Sequence, residues 1–364
     1  MRILVLTTDS FGGLGGIAKY NQDLLTALSR SARIREVVVI PRMAVPGAEL
    51  PARLVLDRSG IDGKAGFIRT VLRQLARPGR FDLVLCGHVH LLPIALPLAL
   101  RYAAPLILCV YGTEAWNPPS SRIAASFCSR VDGVISISRI TADRFSAWAG
   151  SKQEWILPNA VDLEALTPGP PDPALLRRYG LEGRTVIATL GRLDATQPLK
   201  GFDEVLEVMP RLVVERPNLS YLIMGDGTDR CRLEQKAMSL GLEGRVVFTG
   251  KVSETEKVDH YRLARAFVMP SRGEGFGFVF LEALACGVPV VASSMDGGRE
   301  AVRDGLLGTL VDPRDPDDIV RGIGEALARP KGPVHEDLAH FSVPNFDARA
   351  HAFVEDVCVR SKMR

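Results

Sequence analysis

Phe267-Val-Met-Pro-Ser-Arg-Gly-Glu274-Gly-Phe-Gly-Phe-Val-Phe-Leu-Glu282-Ala-Leu-Ala-Cys-Gly-Val-Pro289-Val-Val-Ala292 is the most informative stretch of the chain. Phe267–Met269 and Pro289–Ala292 are short apolar runs bounded by turn residues, the pattern of buried parallel strands. Val279–Ala285 between them reads as a helix, so the stretch is strand, glycine-rich loop, helix, strand. Glu274 and Glu282 are eight residues apart. With a rise of about 1.5 Å per residue, a helix beginning near Phe278 carries the second carboxylate a turn or more inside, while the first stays at its mouth. The unpaired N–H groups at that mouth, beside Gly275, Phe276 and Gly277, make an anion site.

The same alternation runs outward in both directions. Strand candidates are Ile3–Leu6, Val37–Ile40, Leu83–Leu85, Leu106–Val110 and Val134–Ile137, then Val186–Leu190, Tyr221–Met224 and Val246–Phe248. Helical patterns such as Ala18–Ser29 and Phe202–Val214 fall between them. A chain of 364 residues favours two domains. The seam falls where Pro158-Asn159-Ala160-Val161-Asp162 leads into the proline-rich Thr167–Pro173. The expected class is α/β, two doubly wound halves spanning 1–163 and 164–344. Such sheets bind ligands at the carboxyl ends of their strands, so a cleft between the halves is the expected site.

Composition narrows the function. Hydrophobic residues make up 46% and charged residues 24%, which excludes a disordered or collagen-like chain. Apolar runs such as Leu91–Leu100 are too short or proline-interrupted for the roughly 20 residues a bilayer span needs. The start, Met1 to Asp9, has too short an apolar stretch for a signal peptide, so the expected location is the cytosol. Six cysteines are scattered singly, with neither a disulfide framework nor metal-ligand spacing. Residues 1–163 carry 19 Lys and Arg against 12 Asp and Glu, a balance of +7, and the remainder sums to −4. Arg69, Arg73 and Arg77 are four apart and share one helix face, either simply solvated or meeting an anionic membrane surface at the periphery. Nothing points to nucleic acid.

Phe11-Gly-Gly-Leu-Gly-Gly-Ile-Ala18 follows the first strand and precedes a helix. Gly13-Leu-Gly15-Gly16-Ile-Ala18 satisfies the dinucleotide pattern G-x-G-x-x-A, which raises an NADP-linked oxidoreductase. The acidic residue expected after the second strand is missing, since Val37–Ile40 runs into Pro41-Arg42, although an arginine suits a 2′-phosphate. NADPH titration discriminates that class.

The second half adds Arg192, at the end of Val186–Leu190, and Lys200, before the next helix. Together with the Glu274 and Glu282 carboxylates, they suit a diphosphate flanked by a sugar and a ribose, with the cations neutralising the departing diphosphate. The acidic cluster Asp315, Asp317 and Asp318 reads as a helix N-terminus, so no metal site is expected.

Arg192, Lys200, the Glu274 and Glu282 pair with its glycines, Gly225-Asp226-Gly227, Arg245-Val-Val-Phe-Thr-Gly250, Gly297-Gly298 and Gly15-Gly16-Ile17 together resemble the retaining GT-B glycosyltransferases of family 4. The resemblance covers residues 1 to about 325. It implies two Rossmann-like domains facing across a cleft, and a C-terminal helix within 345–364 returning to the first. It also implies that Glu274 contacts the donor sugar and Glu282 the nucleotide ribose. Arg192 and Lys200 would grip the diphosphate, Gly15-Gly16 would close from the opposite domain, and Val247-Phe248 would line the base.

The implied activity is metal-independent, cofactor-free transfer of a sugar from a nucleoside diphosphate donor to a glycan or lipid-linked acceptor in envelope polysaccharide or glycolipid assembly. One position departs from the family. Where its members commonly have His in H-G-T-[DE], this chain has Tyr111-Gly-Thr-Glu114. A phenol with a reference pKa near 10 is a poor general base at neutral pH. The remaining acceptor-side or catalytic candidates are His88 and His90, which face one way if strand geometry continues past Leu85. The missing histidine also leaves open a catalytically inactive binding protein of the same shape, which a nucleotide-sugar turnover assay separates.

Overall fold

The computed structural model describes the whole chain except residues 12, 14, 46–48, 62 and 364 and the side chains of 361–363. Two residues of the glycine loop, Gly12 and Leu14, therefore lie outside the described residues. The chain divides into two compact units, Met1–Ala160 with Val343–Arg364, and Val161–Ser342.

The first unit is built on seven parallel strands: β1 (Arg2–Asp9), β2 (Glu36–Met43), β3 (Leu54–Leu56), β4 (Leu83–Cys86), β5 (Leu106–Val110), β6 (Gly133–Ser136) and β7 (Gln153–Ile156). Their order is β3-β2-β1-β4-β5-β6-β7. The central strands carry almost nothing but Val, Ile, Leu and Cys, because helices cover both faces and leave no solvent side. Ile3 sits opposite both Val37 and Leu83 in register. Helix Gly16–Arg30 buries Ala18, Leu24, Leu25 and Leu28. The C-terminal helix Val343–Met363 packs along it, with the Phe346 and Tyr20 rings edge to face at 5.8 Å. Arg30 Nη1 donates to Asp347 Oδ2 at 2.9 Å.

The second unit has six parallel strands: β8 (Thr185–Leu190), β9 (Leu219–Met224), β10 (Val246–Gly250), β11 (Ala266–Met269), β12 (Val290–Ser293) and β13 (Thr309–Val311), ordered β10-β9-β8-β11-β12-β13. Its core joins Ile187, Leu206, Tyr221, Val268, Val291 and Ile323.

In each sheet the strand order reverses once, between β1 and β4 and between β8 and β11. Loops leaving the carboxyl ends at a reversal diverge to opposite faces and open a crevice. The glycine loop follows β1 and the His88 turn follows β4. Arg192 and Lys200 follow β8, and Glu274 follows β11. Every donor-side or catalytic candidate of the sequence reading except Glu282, Val247, Phe248 and Tyr111 therefore borders a reversal.

Three strands, β3, β7 and β13, are absent from the sequence reading, and each is the edge of its sheet. Among the described residues no helix is long and apolar enough to cross a membrane. All six cysteines are free thiols. Helix Gly63–Ala76 ends one residue before Arg77. That guanidinium remains 60% exposed and reaches Gln74 Oε1 at 3.5 Å and Asp57 at 3.7 Å, so all three arginines are exposed and, among the described residues, Arg77 alone of the three has a carboxylate near it.

Candidate active site

The loops after β8 and β11 meet through backbone. Gly201, with φ +83°, ends the first loop, and a Cβ there would lie 2.8 Å from Pro270 Cδ. Arg272 N–H donates to Leu199 O at 2.9 Å across the same seam. Only a residue without a side chain permits this approach, which brings the Lys200 ammonium onto Glu274 Oε2 as an ion pair. The Glu274 side chain is 15% exposed, so the pair is only partly screened by water. Just beyond Glu274, Gly277 caps the helix Phe278–Ala285 without a side-chain hydrogen bond and with no acidic residue in the first turn. A carboxylate, a cation and an uncapped helix N-terminus thus stand together, a layout that holds sugar hydroxyls beside phosphate.

Glu282 lies one turn inside that helix. Its Oε2 accepts from Tyr261 Oη at 2.7 Å, and its Oε1 from Lys257 Nζ at 3.1 Å. Both partners come from the helix Lys257–Leu263, whose i and i+4 positions share a face. Glu282 is thereby held at 12% side-chain exposure.

The other expected donor residues are placed differently. Arg192 is 74% exposed and pairs with Asp194 at 3.4 Å, rather than joining Lys200 and Glu274. Val247 and Phe248 are half-buried on the edge strand β10, with the Arg230 guanidinium 5.9 Å over the Phe248 ring. Phe276 turns its side chain into the core, edge to face with Phe341 at 5.4 Å, so it offers a ligand its backbone alone. Asp315 accepts from the N–H groups of Asp317 and Asp318, the helix start expected of that cluster. Among the described residues no group of three or more His, Cys, Asp or Glu is placed to hold a metal ion.

In the first unit, Gly15 and Gly16 open the helix Gly16–Arg30 and are exposed. Tyr111 is buried. Its Oη donates to Asn21 Oδ1 at 2.8 Å, and Asn21 Nδ2 donates to Asp9 O at 2.8 Å, tying the ends of β5 and β1 to the first turns of that helix. Burial, reinforced by nearby acidic groups, pushes the phenol well above its usual pKa. Glu114 accepts from the N–H groups of Tyr111 and Gly112 at 2.6 and 3.2 Å and braces the same turn.

His88 and His90 do not continue β4. The strand ends at Cys86, and His88 caps the short helix Val89–Leu91, its Nδ1 accepting from His90 N–H at 3.2 Å. The two rings nevertheless stack at 5.1 Å. Burial, then the neighbouring His90 and Arg42, lowers the His88 pKa to about 4, so it is neutral at pH 7.

Sequence reasoning missed Asp296, Ser271, Lys257, Tyr261 and Asn21. Asp296 is almost wholly buried under the Glu274 loop. Its one local signal is its place just before Gly297-Gly298. Lys257 and Tyr261 show only helical spacing, and their partner lies more than 20 residues downstream.

Two parallel doubly wound units, one carrying a paired carboxylate and cation at its strand reversal, define a nucleotide-sugar enzyme of GT-B type. Residues 14–165 match the family described as Glycosyltransferase Family 4, and residues 174–340 match Glycosyl transferases group 1. A GDP-mannose-dependent alpha-(1-6)-phosphatidylinositol monomannoside mannosyltransferase of Mycolicibacterium smegmatis is 36% identical, over 71% of each chain. A D-inositol 3-phosphate glycosyltransferase of Geodermatophilus obscurus is 32% identical, over 83% of this chain and 70% of that one. The Anabaena protein HepE, solved with UDP and glucose, superposes with a TM-score of 0.76 at 20% identity over 98% of this chain and the whole of that one. The chain belongs to glycosyltransferase family 4 and is a glycosyltransferase that uses nucleotide sugars. The oxidoreductase and inactive-binder readings give way to that assignment.

Proposed function

We propose that this enzyme is a retaining, metal-independent glycosyltransferase acting on a lipid-linked or phosphorylated polyol acceptor, with GDP-mannose the first donor to test. The observation that carries the reading is the Lys200 and Glu274 pair at the uncapped start of Phe278–Ala285. Glu274 binds the donor sugar, Lys200 and the helix start take the diphosphate, Arg192 swings from its exposed position to join them, and Glu282 holds the ribose. The relatives named for GDP-mannose and for inositol-bearing acceptors support the choice of donor and acceptor. In the displacement, the bond from the anomeric carbon to the leaving phosphate oxygen breaks as the acceptor oxygen bonds on the same face. The acceptor proton passes to the departing diphosphate, whose growing charge the cations stabilise. That route needs no protein base, in keeping with a hydrogen-bonded Tyr111 where the family's motif commonly has histidine.

The enzyme works in the cytoplasm at the membrane surface. Beside Arg69 and Arg73, the helix Gly63–Ala76 exposes Ile68 at 47% and Leu72 at 58%. Apolar and basic side chains at matching i, i+4 positions suit a surface that rests on anionic lipid.

The test is a thermal-shift ranking of GDP, UDP, ADP and their sugars, followed by transfer to phosphatidylinositol mannoside or inositol 3-phosphate with and without EDTA. A transferred sugar with the donor's anomeric configuration, formed equally in EDTA, is the expected result. Inverted product, or activity lost to EDTA and restored by Mg²⁺, overturns the mechanism.

A further inference from the structure

We propose that Asp296 is a positioning residue for the donor site, its carboxylate fixing the backbone from which Glu274 projects. The inference rests on the reading of Glu274 as the sugar-binding carboxylate. Asp296 follows β12 and is 1% exposed. Its Oδ2 accepts from Ser271 Oγ and from Glu274 N–H, both at 2.8 Å, and its Oδ1 from Gly298 N–H at 3.0 Å. On the other side, Gly297 N–H donates to Glu274 O at 2.8 Å. A Cβ at Gly297 would lie 2.0 Å from Gly275 O, so the two loops touch main chain to main chain. Both peptide groups of Glu274 are thus held from one turn, and the glycines leading to the helix start are held with them.

Burying a carboxylate is costly, and three donors offset that cost while the group is ionised. Burial and the facing Glu274 raise its pKa to about 7 against the lowering effect of those donors. The charged groups around it are Glu274 and, beyond Glu274, Lys200. Above pH 7 both oxygens accept and the clamp is complete. Below pH 7 one oxygen carries a proton that either opposes the Glu274 or Gly298 N–H or turns the Ser271 hydroxyl from donor to acceptor, so the three-donor clamp is no longer complete.

Asp296→Asn preserves volume but must set an amide NH₂ against a donor on one side or the other. With whichever of GDP-mannose and UDP-glucose the wild type turns over, the variant should raise the donor KM about tenfold or more and change kcat less. The ratio of wild-type to variant donor affinity should climb between pH 6 and 8 and then level, because the ionisation of the ligand and of Lys200 and Glu274 is common to both proteins and cancels. Ser271→Ala deletes one of the three donors and keeps the fold. It should move the acid limb of the wild-type profile to higher pH, which tests the idea even if the asparagine variant fails to fold. A flat ratio with unchanged KM, or an unmoved limb in Ser271→Ala, overturns the inference. Glu274→Gln run alongside separates the failures: unchanged donor use in that variant, or a wild type that binds neither nucleotide sugar, overturns the underlying reading and this inference with it.

Discussion

Lys200 and Glu274, 74 residues apart in sequence, form an ion pair across the strand reversal of the second sheet. A donor that places phosphate on Lys200 and sugar on Glu274 must share or split that pair. Each partner's loss is then felt through the other. Lys200→Ala and Glu274→Gln should each lower kcat/KM by about 10²-fold, the scale of losing one preorganised electrostatic contact. The double variant should fall short of the product of the two, with a coupling of about 0.5–3 kcal/mol. Strict multiplicativity in the cycle would place the two residues in separate sites.

Tyr261→Phe tests the ribose side. Removing Tyr261 Oη leaves Glu282 with Lys257 alone, and a hydrogen bond to a charged group is worth about 1.5–3 kcal/mol. Nucleoside diphosphate affinity, measured by calorimetry below the variant's melting point, should drop about tenfold, and the ligand-independent melting point should fall by a few degrees because the fold loses the same bond. Unchanged affinity for GDP and UDP removes Glu282 from the nucleotide site.

Asp296 also makes stability depend on pH in a definite direction. Its folded pKa lies above the unfolded value, so the native state holds the proton more tightly. The native state loses stability from this group as pH rises from about 4 toward 7, and no further above 7. Asp296→Asn cannot titrate, so its unfolding free energy in urea, relative to wild type, should increase across that window and be level on either side. A difference that falls with rising pH contradicts the assignment.

For the proposed membrane face, each basic charge near an anionic surface should contribute about 1 kcal/mol. Arg69→Glu with Arg73→Glu should release the enzyme from phosphatidylinositol-containing vesicles in a sedimentation assay. Ile68→Ser with Leu72→Ser should weaken binding in a way that salt does not mimic. Arg77→Glu should matter less, because Asp57 and Gln74 already hold that side chain. Equal sedimentation of all variants leaves the helix a solvated face.

How much was legible in the sequence follows the physics of the elements. All ten expected strands are present: nine are interior parallel strands, which must be largely apolar whatever their neighbours, and the tenth, β10 at an edge, still carries the apolar run Val246-Val-Phe248. The missed β3, β7 and β13 are edges: Leu54-Val-Leu and Thr309-Leu-Val are three residues long, and Gln153-Glu-Trp-Ile is half polar. Such segments become strands through the partner beside them. The Glu274 and Glu282 spacing was readable because a loop and one helix carry both. Asp296 was not, because its partners Ser271 and Glu274 lie 25 and 22 residues away on another loop. The turn that carries His88 and His90 was not legible, because Gly87 ends the strand. A Cβ there would sit 2.9 Å from Leu6 O, so the chain turns off beside β1.

Tyr111 stands where the family's H-G-T-[DE] pattern has histidine, and its geometry makes a sharp prediction. The hydroxyl donates to Asn21 Oδ1 inside the first unit, and burial holds the phenol protonated, so it cannot serve as a base at neutral pH. Tyr111→Phe loses that bond and leaves the Asn21 oxygen without its donor, at a stability cost of about 1–3 kcal/mol. Turnover should nevertheless stay within about tenfold, since in the proposed displacement the leaving phosphate takes the acceptor proton. His88→Ala with His90→Ala is the companion measurement. An essential base among them would cost about 10²–10⁴-fold, whereas loss of the capping Nδ1 bond alone should only loosen the turn after β4. A collapse of turnover in Tyr111→Phe with donor affinity intact would mean that the hydroxyl acts on the reacting atoms, and the base-free displacement would have to be given up.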